Sequence, residues 1–305
     1  MLDSNLSPIL IFTYKRLDTL KLTVEALKKN HLSDQSILYV FSDAARKRED
    51  EIQVQNVRDY IQTIDGFKSV IIYQSDQNKG LARSIIEGVT HIFKEYDKVI
   101  ILEDDLITSS NFISYMNESL INYQTIPKVF SISGYSFNLS DSKTVYPYEG
   151  YFINRGWSWG WGTWKDRWKD IDWEVSDYSE FKSDKVAQRE FSKGGSDLNK
   201  MLKEQMESNL DSWAIRWFYH QYKVKGLTFY PHFSKVFNAG FDEYATHTKG
   251  SNKRYIPTMD SSGKTHFNFP ETISEDAFFQ KKFQNKMSVK RRIWGKIETL
   301  FNKLF

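Results

Sequence analysis

Cysteine is missing from all 305 residues, which excludes a disulfide framework, zinc–thiolate sites and a cysteine nucleophile. No apolar run approaches the length of a transmembrane span. The N-terminal MLDSNLSPIL lacks the basic start and long apolar stretch of a signal peptide, so a cytoplasmic protein is the expectation. Two glycine signatures are absent as well. Neither G-x-G-x-x-G nor G-x-x-x-x-G-K-[ST] follows any strand of the pattern, which argues against NAD enzymes and P-loop NTPases. A net positive balance is also missing outside one segment. Residues 281–305 hold eight Lys/Arg and one acid, leaving 34 basic and 38 acidic residues for the rest of the chain. A body with a net negative balance is a poor nucleic-acid binder, so no nucleic-acid partner is expected.

What is present is an ordinary soluble composition, 40% hydrophobic and 27% charged, with an aromatic share of 16%. The aromatics are unevenly placed: eight of the nine tryptophans lie between Trp157 and Trp217, so the two halves have different tasks. The first half alternates strands and helices. Pro8–Tyr14, Ile37–Phe41, Val70–Tyr73 and Val99–Leu102 read as strands. Between them lie helical patterns with apolar positions Leu17, Leu20, Val24 and Leu27, then Ile52, Val54, Val57 and Ile61, then Leu81, Ile85, Val89, Ile92 and Tyr96. Such alternation predicts a mostly parallel sheet with right-handed crossovers.

The chemistry concentrates at the strand ends. Val99–Leu102 runs without polar alternation, as a strand covered on both faces does, and meets Glu103, Asp104 and Asp105 at once. Adjacent carboxylates repel unless a cation joins them, and hard oxygens suit Mg²⁺ or Mn²⁺. In open α/β sheets ligands bind outside the carboxyl ends of the strands. Arg16, Asp43 and the Asn78–Arg83 segment close the other three strands, so they are expected to share one crevice with the triplet. Acids there can hold a base or ribose, and arginines can meet phosphate oxygens.

Downstream, Ser109 or Ser110 is expected to cap a helix running to about Asn122, and Val129–Ser133 to form a fifth strand. Residues 135–150 read as a surface loop and Tyr151–Asn154 as a short strand. In Arg155–Trp168, Trp157, Trp159 and Trp161 alternate with small residues and would share one face if extended. Trp161, Trp164 and Trp168 instead follow helical spacing, so a turn into a helix is expected, with the earlier indoles offering a sugar-stacking surface and the later ones core. Further helices are expected around Leu198–Glu207 and from Leu210, the latter capped by Asp211 or Ser212; Asp211 is also placed to act as a general base. Phe229–His247 reads as a strand and a glycine-containing loop. In the tail, Ile293, Ile297, Leu300, Phe301 and Leu304 form an apolar stripe, with Lys290, Arg291, Arg292, Lys296 and Lys303 beside it. That pattern suits a helix on an anionic membrane surface, or one docked on the domain by the same stripe.

With these residues in place, the chain resembles inverting, nucleotide-sugar-dependent glycosyltransferases of the GT-A fold, similar to the N-acetylglucosaminyltransferase I family and bacterial capsule or O-antigen transferases. The likeness spans roughly residues 8–250 and rests on Pro8–Arg16, Leu81-Ala-Arg83, Glu103-Asp-Asp-Leu106 with its downstream Asn111-Phe112 helix, and Leu210-Asp-Ser-Trp213. It implies a Rossmann-like, mostly parallel sheet flanked by helices, with a Trp-rich acceptor half. A nucleotide-sugar half would cover 1–106, an acceptor and catalytic half 107–272, and a basic amphipathic C-terminal helix 273–305. By the same resemblance Asp105 ligates the metal, Mn²⁺ or Mg²⁺. Glu103 and Asp104 lie against ribose and donor sugar, Asp43 holds the uracil, and Thr13, Arg16 and Arg83 belong to the donor site. Asp211 matches the catalytic base; the 238–249 segment orders over bound donor, with His247 touching the diphosphate or metal. Trp157, Trp159 and Trp161 would bind acceptor. Two positions depart from the family: Ser212 replaces an acid and Leu210 a tryptophan of the base motif. The expected partners are a UDP-sugar, a glycan or lipid-linked glycan acceptor, and an anionic membrane at the inner face of the cell, met by residues 287–305. A sugar-nucleotide nucleotidyltransferase and a non-catalytic glycan-binding protein are the rival readings.

Overall fold

The computed structural model describes residues 6–139, 146–240 and 255–291. Ten strands, β1 (Ile9–Thr13), β2 (Ile37–Ser42), β3 (Ser69–Gln74), β4 (Lys98–Glu103), β5 (Leu106–Thr108), β6 (Val129–Ser133), β7 (Gly150–Ile153), β8 (Trp161–Trp164), β9 (Leu227–Pro231) and β10 (Val236–Asn238), occur among these residues. The α-helices are α1 (Leu17–Lys28), α2 (Glu51–Ile61), α3 (Gly80–Ile92), α4 (Phe112–Asn122), α5 (Lys165–Trp168), α6 (Tyr178–Ser183), α7 (Lys185–Phe191), α8 (Leu198–Met206), α9 (Trp213–Lys223) and α10 (Ala277–Lys286). Eight strands form one sheet in the order β3-β2-β1-β4-β8-β6-β9-β7, mostly parallel, and β10 pairs with β5 in a small second sheet. The architecture is α/β, a helix-flanked and mostly parallel sheet consistent with a GT-A-like fold.

The sheet's order fixes where a ligand can enter. From β1 the chain builds outward through β2 to β3, then returns to lay β4 against the other side of β1. Such a reversal opens a crevice at the carboxyl ends of the two strands that flank it, here β1 and β4. The pairing of Phe12 with Glu103 and of Thr13 with Ser42 brings the three strand ends to one level. Both faces of this centre are covered, which is why Val99–Leu102 carries no polar alternation: all four are fully buried. On one face lie Leu20, Val24, Leu27, Val57 and Ile61 of α1 and α2; on the other, Ile85, Val89 and Ile92 of α3 with Trp213 and Trp217 of α9.

Several expected elements are corrected. Ile52 is 74% exposed and takes no part in the packing of α2. Neither Ser109 nor Ser110 caps α4; its first residue follows Asn111, and Ser109 Oγ donates to Asn111 Oδ1 instead. The supposed surface loop begins inside the protein, with Tyr135, Phe137 and Leu139 buried in a third apolar cluster. The segment after Gly160 is first a strand, and the expected helix begins only at Lys165, as the short α5. Trp161–Trp164 inserts antiparallel between β4 and β6, with Gly162 opposite Ile100 and Ile132. A four-residue strand with a central glycine has little intrinsic claim to a sheet interior, so the two neighbouring strands decide it.

The start of the terminal segment is docked. Asp276 caps α10 by accepting from Phe278 N and Phe279 N, and the Phe279 ring stacks on Tyr151 of β7 at 3.8 Å. Phe283 and Met287 continue that buried face. The apolar stripe from Ile293 onward lies outside the described residues. Among the described residues no helix is long and apolar enough to cross a membrane.

Candidate active site

β4 delivers its three carboxyls into the crevice, and each is held differently. Asp104 is 4% exposed and fully engaged: its Oδ2 accepts from Thr13 Oγ1 at 2.9 Å and Tyr14 N at 3.3 Å, its Oδ1 from Arg16 Nη2 at 2.7 Å. Asp105 Oδ2 accepts from the same Arg16 nitrogen at 2.7 Å. Burial raises the Asp105 carboxyl above its usual range, with the Arg16 charge pulling against that rise. Among the described residues Glu103 has no such partner. Burial, then the charges of Asp105 and Asp104, push it up to about 8. Opposite Asp105 the backbone comes close enough to need glycine: a Cβ at Gly240 would overlap Asp105 Oδ2, and Ala239 N donates to Asp105 O at 2.8 Å.

Two cavities meet at this cluster. One, of about 470 Å³, lies over the ends of β1 and β2 and is walled by Thr13, Tyr14, Asp43, Arg46, Asn78 and Asp104 among others. The second, of about 430 Å³, is walled by Asp105, Trp157, Trp159, Trp213, Asn238 and Tyr255 among others. Arg16, Leu81, Glu103 and Asp211 border both. Asp211 is at the junction with a side chain 71% exposed, and Arg216 Nη2 stands 3.7 Å from its Oδ1. It is not consumed as a helix cap, because Ser212 caps α9 by accepting from Ile215 N.

Asp43 is at the expected strand end, but its carboxylate is occupied. It accepts from Ala44 N, Lys79 N, Gly80 N and Asn78 Nδ2, binding the turn before α3. Gly80 makes this turn with φ of +72°, and the negative charge sits at the helix N-terminus, where it is stabilising. In this conformation Asp43 shapes the cavity wall with no acceptor position left over for a base. Arg83 is elsewhere altogether. Its side chain is 70% exposed, Nε donates to Glu87 Oε1, and it borders neither cavity. The i,i+4 spacing to Glu87 on an exposed helix face accounts for this.

The tryptophans also divide. Trp161 is 1% exposed and packs against Trp213 at 4.8 Å, Trp217 at 4.4 Å and Trp168 at 5.9 Å, so it is core and not acceptor surface. Trp157 and Trp159 do border the second cavity. Trp157 is mostly buried, stacked on Tyr135 at 5.4 Å, and among the described residues its indole N–H lacks a partner. Trp159 is half-buried, its ring 5.6 Å from Tyr255. His247 and most of the 238–249 segment lie outside the described residues.

Arg155 was not foreseen. It makes a two-pronged ion pair with Asp197 at 2.8 and 2.9 Å and lies over the rings of Trp157 and Phe218, fixing the floor of the second cavity. A charge at the head of a tryptophan run was the available signal, but its partner stands 42 residues away in sequence. Lys235 is likewise buried, joined to Glu149 and Asp260, while Asn111 Nδ2 donates to Asp260 at 2.9 Å. This cluster anchors the start of β10, and Gly240 follows two residues after that strand ends.

No cluster of three or more His, Asp or Glu side chains able to hold a metal occurs among the described residues. A Mg²⁺-type ion usually takes one or two carboxylates and completes its shell from substrate phosphates and water. The donor set here, chiefly Asp105, fits an ion shared with a bound diphosphate rather than one held by the protein alone.

Comparison with known proteins adds little. No family model matches the chain, and no curated protein does. Among solved structures, the mannosyltransferase PcManGT from Pyrobaculum calidifontis, in complex with GDP-Man and Mn²⁺, is 12% identical, with a TM-score of 0.32 over 45% of this chain. S. aureus TarS is also 12% identical, with a TM-score of 0.32 over 48% of this chain. The matches span 36% and 24% of those two proteins. Likenesses so partial assign no chemistry, which has to come from the site itself.

Proposed function

We propose that the protein is a metal-dependent, inverting glycosyltransferase that moves a sugar from a UDP-sugar to a hydroxyl of a lipid-linked or oligosaccharide acceptor during surface polysaccharide synthesis. The observation that carries this reading is the meeting of the β4 carboxylates with Asp211 at the junction of two cavities. The cavity over β1 and β2 takes the nucleotide within residues 1–106, and the tryptophan-walled cavity takes the acceptor within 107–272. Asp105 is the carboxylate that would hold Mn²⁺ or Mg²⁺, whose charge would offset that of the departing diphosphate.

The chain's own residues do the rest. Thr13 and Tyr14 N fix Asp104, and Glu103 borders both cavities, where its carboxyl can hydrogen-bond a sugar or ribose hydroxyl. Asp211, exposed at the junction, takes the proton of the acceptor hydroxyl as that oxygen attacks the anomeric carbon from the face opposite the leaving group. Trp159 offers a ring for the acceptor sugar to stack on.

The test is product formation across a panel of nucleotide-sugars and oligosaccharide acceptors with Mn²⁺, read by mass spectrometry, with the new linkage assigned by NMR. Inversion at the anomeric carbon is expected. Asp211→Asn is expected to lower kcat by roughly 10²–10⁴-fold while nucleotide binding persists. Near-full turnover in that variant would remove Asp211 from the base role.

A further inference from the structure

Arg16 occupies the position a cation would take between the carboxylates. Its Nη2 is 2.7 Å from Asp104 Oδ1 and 2.7 Å from Asp105 Oδ2. The side chains are 21%, 6% and 10% exposed, so water screens this contact poorly. A guanidinium prefers to meet one carboxylate with two parallel bonds. Here a single nitrogen is shared between two carboxylates, the bridging that a small ion makes. Among the described residues Arg16 is the sole ion-pair partner of Asp104 and Asp105. Gly240 closes the far side, since even a Cβ there would overlap Asp105 Oδ2 and approach Arg16 Nη1 to 3.0 Å. The oxygen that Arg16 holds therefore has little room for a second cation. Arg16 also borders both cavities, so a diphosphate in the first would compete with the carboxylates for its guanidinium.

We propose that Arg16 is a resident counter-ion that a divalent cation must displace from Asp105, so that metal binds well only after a nucleoside diphosphate offers Arg16 other oxygens. The inference rests on Asp105 being the metal-binding carboxylate. The exchange keeps the charge balanced: the guanidinium passes to phosphate and the divalent ion replaces it between buried acids. Without nucleotide, metal affinity is reduced by the small fraction of molecules whose Asp105 is free.

The experiment is a Mn²⁺ titration of the full chain, followed by the EPR signal of the free ion, for wild type and Arg16→Gln, with and without UDP. Without UDP, Arg16→Gln is expected to bind Mn²⁺ at least ~10-fold more tightly than wild type, with a correspondingly smaller gain on adding UDP. Equal affinities in two folded proteins without UDP would overturn the displacement and leave the metal assignment standing. Failure of both to bind Mn²⁺ even with UDP would overturn both. Because glutamine leaves two buried acids without a cation and could unfold the chain, a second measurement uses wild type. The guanidinium ¹⁵N resonances of Arg16, assigned through Arg16→Lys, are expected to move when Mg²⁺ and UDP bind together. Resonances unmoved in that complex would overturn the proposal.

Discussion

Glu103 is the residue whose behaviour departs most from its chemical type. In the metal-free protein burial and two neighbouring acids raise its carboxyl from 4.5 to about 8, so the folded state holds this proton more tightly than the unfolded chain. Its contribution to stability is then full below pH 4.5 and is lost as pH rises through about 8. Glu103→Gln carries no such proton. Its melting temperature is expected to gain on wild type between about pH 4.5 and about pH 8 and to hold level above that. A difference that stays constant with pH would mean that Glu103 is already ionised when folded. The neighbouring residues show what could be anticipated singly. A triplet of acids after a buried strand was legible as a site, and so was Arg16 one strand away. That Asp43 is saturated by backbone amides was not, because those donors are supplied by a turn folded beneath it.

Among the elements, the first four strands and three helices follow the apolar periodicity closely, since each is long enough for local pattern to decide. The later elements do not. β8 is four residues with glycine inside it, and its strand state comes entirely from the ladders of β4 and β6. For the same reason the tryptophan run could not be sorted from sequence: alternation matched a strand, the 3–4 spacing matched a helix, and both occur in turn. The sorting now predicts different outcomes for neighbouring substitutions. Trp161→Ala is expected to cost about 3–5 kcal/mol in denaturant unfolding, as deletions of buried aromatics do. Trp159→Ala, at the half-buried cavity wall, gives up ring contacts with Tyr135 and Trp157 but is expected to cost less stability than Trp161→Ala and to raise KM for acceptor. Loss of stability in Trp159→Ala without an acceptor effect would return that ring to the core.

At the scale of the molecule, one crevice organises the chain because the sheet reverses its order of growth between β1 and β4. Sequence alternation implied a mostly parallel sheet with one crevice at its strand ends, but not the strand order; the later half's packing, through Arg155–Asp197 and the buried Lys235 cluster, rests on pairs far apart in the chain. We expect the basic tail to add attachment to membranes. Removing residues 292–305 should spare the fold, since Phe279, Phe283 and Met287 remain in their cluster. It should weaken co-sedimentation with anionic vesicles, each lost Lys or Arg accounting for roughly 1 kcal/mol. Unchanged vesicle binding after truncation would put the basic surface elsewhere.

In the proposed enzyme the carboxylates at the end of β4 hold a divalent ion against the diphosphate of an activated sugar. Thermal melts with UDP, with Mn²⁺ and with both test it most directly, in wild type and in Asp105→Ala. A large rise is expected only when both are present, worth about 2.7 kcal/mol at one hundred times the dissociation constant, and it is expected to vanish in Asp105→Ala. An equal rise with UDP and a chelator, or a full Mn²⁺-dependent rise in Asp105→Ala, would contradict it.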